Sequence, residues 1–203
     1  MESSRTGTSS SSPTTDDWLG ALLATPGLTS LRDPAEVRRV HLDDALRGRE
    51  LVAGYAGTIV DVGSGGGSPG IPLAHALPDR EVVLLEAARR KCDFLERWAP
   101  PNARVLWGRA EEQPTDWAGV AVARALAHPP TAVEWCVPLV RPGGAVVLWV
   151  GESVDRDHVA RVADRLAASL DDVSQGLLVL RKTGPTPLGF PRRVGVARKR
   201  PLP

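Results

Sequence analysis

Between Thr58 and Pro72 the chain reads TIVDVGSGGGSPGIP. The aliphatic pair Ile59-Val60 leads into Asp61-Val62, and four glycines follow within five residues: Gly63, Gly65, Gly66 and Gly67. Ser68, Pro69 and Gly70 come next, with Ile71 and Leu73 opening a helical pattern. A short aliphatic run bounded by turn residues has the form of a buried parallel strand. Glycines supply positive φ and let a ligand approach the backbone with no Cβ in its way. A helix start adds unpaired N–H groups suited to an anionic or carboxylate-bearing ligand. Strand, glycine turn and helix start together predict a ligand cradle. The same pattern fits an unliganded turn, but four glycines in one turn carry a large loss of backbone entropy on folding.

Other residues join this cradle by their place in the pattern. Glu86 closes the next aliphatic run, where an acid accepts hydrogen bonds from ribose hydroxyls; the bland alternative is a helix cap. Gly108-Arg109-Ala110-Glu111 follows a third run, and the Ala110 amide with the Glu111 carboxylate suits an adenine edge. Arg124 ends a fourth run and faces either cofactor or substrate, or forms a surface ion pair. Near the C-terminus Arg181, Lys182, Arg192, Arg193, Arg198, Lys199 and Arg200 occur with no acid between them. This local basic strip on a chain of net charge +1 suits phosphate contacts.

A dinucleotide fingerprint GxGxxG occurs at Gly65, Gly67 and Gly70, but its offset is wrong. In that fingerprint the first glycine follows the strand directly. Here Asp61 ends the strand and Gly63 comes two residues later. An acid, one residue, then glycines at alternate positions resembles motif I of class I S-adenosylmethionine methyltransferases. That resemblance places Asp61 near the cofactor amino group and Gly63, Gly65 and Gly67 beside its aminoacyl and ribose parts.

The elements that must hold these residues alternate regularly. Strands are expected at Thr58–Val62, Glu81–Glu86, Arg104–Trp107, Gly119–Ala123 and Ala145–Val150, with two more at Gly176–Leu180 and Val194–Ala197. Helices are expected at Gly70–Leu77, Ala88–Trp98, Pro129–Leu139 and Val154–Leu170. Such βα alternation predicts a mainly parallel seven-stranded sheet with helices on both faces, a Rossmann-like α/β fold. Ligands of such sheets bind beyond the strand C-termini at the switch point. In front lies a small helical extension over residues 16–50, with Asp16-Asp17 as one cap and Asp33-Pro34 starting a second helix. Residues 1–15 read as a disordered Ser/Thr-rich tail, and 51–203 as the ligand-binding domain.

The 203 residues suit one domain with extensions, and 42% hydrophobic with 24% charged residues suits a globular core. The two cysteines, Cys92 and Cys136, read as reduced core thiols of a cytoplasmic protein, and no metal-ligating spacing is evident. No apolar run approaches the ~20 residues of a membrane span.

At larger scale VDVGSGGGSPGIPLA, VVLLEAARRKCDFL, GRAEE, VARALA and FPRRVGVARKRPL occur in order, after the lead-in GLTSLRDPAEVRRVHLDDAL. Together they resemble the RsmG (GidB) family of bacterial 16S rRNA guanine-N7 methyltransferases, from about Trp18 onwards. The resemblance implies a class I fold, S-adenosylmethionine as cofactor and 16S rRNA or the small ribosomal subunit as partner. It puts Gly63 and Ser68 on cofactor-contacting loop positions, Ala110 and Glu111 on the adenine side, and Arg124 on the arginine of an RA element. The strip residues Arg192, Arg193, Arg198, Lys199 and Arg200 become RNA contacts, and the protein is expected to act as a monomer. Ser68 stands where the family has a larger apolar residue, Asp44 where it has serine, Gly27 where it has asparagine, and Trp149-Val150-Gly151 where it has lysine-glycine. No acid–base pair is evident. The alternatives are a cofactor-binding, ribosome-associated protein of little activity, a methyltransferase with another substrate and, last, an NAD-dependent oxidoreductase.

Overall fold

The computed structural model of the chain describes residues 12–151 and 153–203. The expected tail thus lies outside the described residues as far as residue 11. Its end is already structured: Thr14 caps α1 (Thr15–Ala24), its hydroxyl accepting from the Asp17 N–H at 3.2 Å while the Asp17 carboxylate accepts from the Thr14 N–H at 3.1 Å. This reciprocal capping box starts the helix one residue before the expected Asp16-Asp17 cap.

The sheet comprises β1 (Ile59–Val62), β2 (Val82–Glu86), β3 (Ala103–Trp107), β4 (Ala118–Arg124), β5 (Val140–Trp149), β6 (Ala168–Ser174) and β7 (Leu177–Lys182). Their order is β3-β2-β1-β4-β5-β7-β6. The first five pair in parallel, and β7 runs antiparallel to both β5 and β6. The expected mainly parallel seven-stranded sheet is therefore present. Its order reverses between β1 and β4, which puts a crevice at their C-terminal ends.

Each strand of a doubly covered sheet must be apolar on both faces. Along β1, Val60 and Val62 join one core with α7 (Pro129–Cys136) and α8 (Arg156–Asp164). Ile59 joins the other, with α1, α5 (Gly70–Ala76) and α6 (Arg89–Trp98). By the two-residue alternation Asp61 shares the face of Ile59 and looks towards α5.

The last two strands differ from expectation. Helical spacing ends at Leu166, where Ala167 turns the chain at φ +55. From Ala168 the period is two, as β6. Gln175 and Gly176, both at positive φ, close a two-residue hairpin to β7. The strip segment expected as the strand Val194–Ala197 contains instead α9 (Val196–Lys199), because β6 already fills the sheet edge.

In the N-terminal annex α2 (Pro34–Arg38) passes through one turn of π-helix, Arg39–Asp43, into α3 (Asp44–Leu46) and then α4 (Arg49–Ala53). Trp18 is fully buried and its indole N–H donates to the Gly66 carbonyl at 2.8 Å, so the annex grips the glycine turn from outside.

Candidate functional site

A cavity of about 270 Å³ opens at the C-terminal ends of β1, β2 and β3. Its wall includes Gly63, Glu86, Ala110, Glu111, Leu126 and Trp135. Lys91 and Arg109 add positive charge at the same wall.

Glu86 is 7% exposed and bridges two loops. One carboxylate oxygen accepts from the Gly65 N–H at 2.9 Å and the other from the Ala88 N–H at 2.8 Å. A carboxylate offers about four acceptor positions, so these two bonds orient it and leave capacity for ligand hydroxyls. Ala110 and Glu111 sit in a short 3₁₀ turn after β3, at the cavity wall. Gly63 carries Leu126 so closely against its backbone that a Cβ would collide with the Leu126 side chain.

The glycine turn is not the open amide cradle expected from its sequence. Gly63 and Ser64 donate to the Leu85 carbonyl at 2.8 and 3.1 Å, Gly67 to Ser64 at 2.7 Å, and Ile71 to Gly67 at 2.7 Å. Gly65 donates to Glu86, as above, and Gly70 to the Asp61 carboxylate at 3.1 Å. With those donors committed internally, the turn is poorly equipped to bind a pyrophosphate, which needs several free amides. This disfavours a dinucleotide on the geometry as well as on the glycine offset.

Asp61 therefore has a different place from the one expected. It is 1% exposed, is absent from the cavity wall, and reaches under the turn to the first N–H of α5. A Cβ on Gly70 would lie 2.6 Å from the Asp61 carboxylate oxygen, so that glycine permits a close approach between protein groups. Burial raises the Asp61 pKa to about 7, partly offset by hydrogen bonds to Ser64 and Gly70 and by Arg124. Gly67 likewise abuts protein, with Ile71 and Trp18 where a Cβ would stand. Ser68 is also away from the wall, its hydroxyl donating to the His41 carbonyl at 2.8 Å.

Arg124 ends β4 beside the wall residues Ala125 and Leu126, with its side chain 15% exposed. It donates to the Val40 carbonyl, lies 2.8 Å from His41 Nδ1 and 3.4 Å from an Asp44 oxygen. The annex thus supplies the partners of a residue that the sequence placed at the mouth. Trp149 is also turned to the annex: its indole N–H donates to the Asp44 carbonyl at 2.8 Å, and its ring lies where a Cβ on Gly48 would sit.

The basic strip is not uniform. Arg192 pairs with the buried Glu134 of α7 at 2.5 Å through two nitrogens, so its guanidinium is not the free phosphate contact expected. Lys182 is fully buried and donates to Leu166 O and Thr186 Oγ1, and Arg181 pairs with Asp171. Arg193, Arg198, Lys199 and Arg200 are exposed, and among the described residues none of them forms an ion pair. The segment is fixed at three points. Besides Arg192, the Gly195 N–H donates to Glu111 Oε1 at 3.2 Å, and His158 Nε2 lies 2.7 Å from the Leu202 carbonyl. Glu111 is a wall residue, so the strap carrying these cations is fastened to the cavity rim.

Among the described residues no helix is long and apolar enough to cross a membrane. Sequence reasoning missed Leu126, Trp135, Lys91 and Arg109 as wall residues, and His41 as a partner of Arg124. The only available signals were adjacency, Leu126 two residues after Arg124 and Lys91 in the first turn of α6.

A profile of the GidB family, described as rRNA small subunit methyltransferase G, matches residues 20–176. "Ribosomal RNA small subunit methyltransferase G" of Synechococcus elongatus is 36% identical over 201 residues, covering 86% of this chain and 82% of that protein. The protein of the same name from Symbiobacterium thermophilum is 33% identical over 202 residues, again covering 86% and 82%. Among solved structures, the antibiotic-resistance methyltransferase Kmr superposes with a TM-score of 0.51 at 20% identity, covering 66% of this chain and 89% of that one. TnmH gives a TM-score of 0.53 at 17% identity, covering 84% and 64%. These two show the fold, a class I methyltransferase sheet, and the cofactor of the family's reaction is S-adenosylmethionine, whose ribose the remaining acceptor capacity of the Glu86 carboxylate at the cavity wall would fit. By profile and by identity over most of its length, this chain belongs to the GidB family, the small-subunit rRNA methyltransferases G.

Proposed function

We propose that this protein transfers a methyl group from S-adenosylmethionine to N7 of a guanine in 16S ribosomal RNA, as a cytoplasmic monomer acting on the small subunit or its RNA. The observation that carries this reading is the Gly195–Glu111 hydrogen bond, which joins a strap of exposed cations to the rim of the cavity. A cavity alone suits any methyltransferase. A fixed set of exposed cations at its rim suits a polyanionic substrate.

When bound, S-adenosylmethionine supplies a methyl group activated on a sulfonium. The chain's residues then bind and orient. Glu86 holds the ribose hydroxyls, Ala110 and Glu111 the adenine side, and Gly63 with Leu126 the floor. Asp61 acts through the turn: it holds Gly70 and thereby the loop's shape. Arg193, Arg198, Lys199 and Arg200 hold phosphates, and Arg124, held by the annex, braces the end of β4 next to the wall residues Ala125 and Leu126. Guanine N7 already carries a lone pair, so no general base is required and alignment supplies most of the acceleration. The base must be unpaired or flipped outward to reach the cavity.

The test is transfer of labelled methyl from S-adenosylmethionine to small subunits and to protein-free 16S rRNA, with the product mapped by cleavage at 7-methylguanosine. Label at one guanine N7 supports the proposal. Cofactor binding without transfer to either substrate contradicts it.

A further inference from the structure

In the π-turn Arg39–Asp43 the Asp44 N–H donates to the Arg39 carbonyl, which leaves the Val40 carbonyl without its α-helical donor. Arg124 takes that carbonyl, and Ser68 of the glycine turn takes the next one, on His41. One irregular turn of the annex therefore ties together the end of β4 and the cofactor loop. The His41 ring completes the arrangement. Its Nδ1 lies 2.8 Å from Arg124 Nη2 and its Nε2 lies 3.1 Å from Thr29 Oγ1. A guanidinium only donates, so Nδ1 must be the acceptor. The proton then sits on Nε2 and is donated to Thr29. Burial, and then the Arg124 charge, hold the ring neutral by lowering its pKa to about 4. The charged groups facing this cluster are Arg124 from β4 and Asp44 from α3, the latter shared with Arg47 at 2.9 Å.

We propose that His41 is a positioning residue for methyl transfer: as the Nε2–H tautomer fixed by Thr29, it sets the direction of the Arg124 guanidinium at the end of β4 and so holds the adjoining wall residues Ala125 and Leu126. This rests on the functional reading above. A neutral acceptor is needed there because a charged imidazole would repel Arg124, and an apolar residue would leave one guanidinium edge without a partner. The Nδ1 bond fixes one N–H of the fork and the Val40 carbonyl another, so the planar group cannot rotate while the base is taken up.

The experiment compares wild type, His41→Ala, His41→Asn and Thr29→Val. It reads kcat and KM on small subunits, S-adenosylmethionine affinity by calorimetry, and the rate from about pH 5 to about pH 8, the range in which an ordinary histidine titrates. Expected are a loss of about tenfold or more in kcat/KM for His41→Ala, the size of an orientation defect, with cofactor affinity unchanged. His41→Asn, whose side-chain oxygen also accepts, restores most of the rate. Thr29→Val releases the tautomer and lowers the rate less than His41→Ala does. No imidazole titration appears in the wild-type profile. An active wild type with His41→Ala equally active, or with Asn no better than Ala while both bind cofactor, overturns this inference alone. A wild type that transfers no methyl group overturns the functional reading and this inference with it.

Discussion

Arg192 and Glu134 meet through two nitrogens and two carboxylate oxygens, each pair 2.5 Å apart, with Glu134 2% exposed on α7. A bidentate pair of this kind needs a planar fork and is not reproduced by lysine. It fastens the start of the strap, and everything exposed on the strap follows it in sequence. Arg192→Met leaves a buried carboxylate without its partner, which destabilises by about 3 kcal/mol or more. Urea unfolding of the two proteins measures this. Glu134→Gln should cost less, since its amide remains able to hydrogen-bond.

The free cations make a separate prediction. Changing Arg193, Arg198, Lys199 and Arg200 together to glutamine weakens RNA binding and leaves S-adenosylmethionine affinity nearly intact. Each lost phosphate contact lowers the slope of log affinity against log salt by about 0.7 to 0.9. Lines of equal slope for wild type and variant would show that these residues do not touch phosphate. Adding Arg192→Gln should lower stability without a further change of slope.

Gly65 sits at φ +59 and gives its N–H to Glu86. Gly65→Val places a β-branched residue in a left-handed conformation it rarely adopts. The turn must shift, and Glu86 loses one of the two bonds that orient it. Calorimetry should find no S-adenosylmethionine binding in a folded variant. Unchanged affinity would remove the turn from the cofactor site.

Asp61 predicts a pH dependence. Its folded pKa of about 7 lies above the ordinary 3.8. The folded state thus holds the proton more tightly, and this group's contribution to stability is fully present below the unfolded value. It is lost as pH rises towards the folded value. Asp61→Asn removes that dependence while its side-chain oxygen can still accept from Gly70. The stability of wild type relative to Asp61→Asn should fall between about pH 4 and about pH 7, by on the order of a few kcal/mol. Parallel stability curves would contradict it.

Much of this architecture was legible because its signals are local. Strand β1, the turn and α5 followed from aliphatic run, glycines and helical spacing, and Glu86 reached the cavity because it ends a buried strand. The errors have physical causes. Gln175-Gly176 is a weaker hairpin signal than asparagine-glycine, so the expected helix Val154–Leu170 runs over the first three residues of β6 and the remainder of that strand carries no expectation. The glycines looked alike in sequence, but Gly67 and Gly70 are small to admit Ile71, Trp18 and Asp61, which only packing reveals. Arg192 resembled its neighbours until α7 brought Glu134 against it across 58 residues. His41 carried no local sign at all, because its partner Arg124 lies 83 residues away.

The central claim is tested most directly by mass spectrometry of 16S rRNA nucleosides from cells with and without this protein. The account predicts that one 7-methylguanosine disappears from 16S rRNA when the protein is absent and returns with the wild-type chain. An unchanged 7-methylguanosine content in 16S rRNA lacking the protein would contradict it.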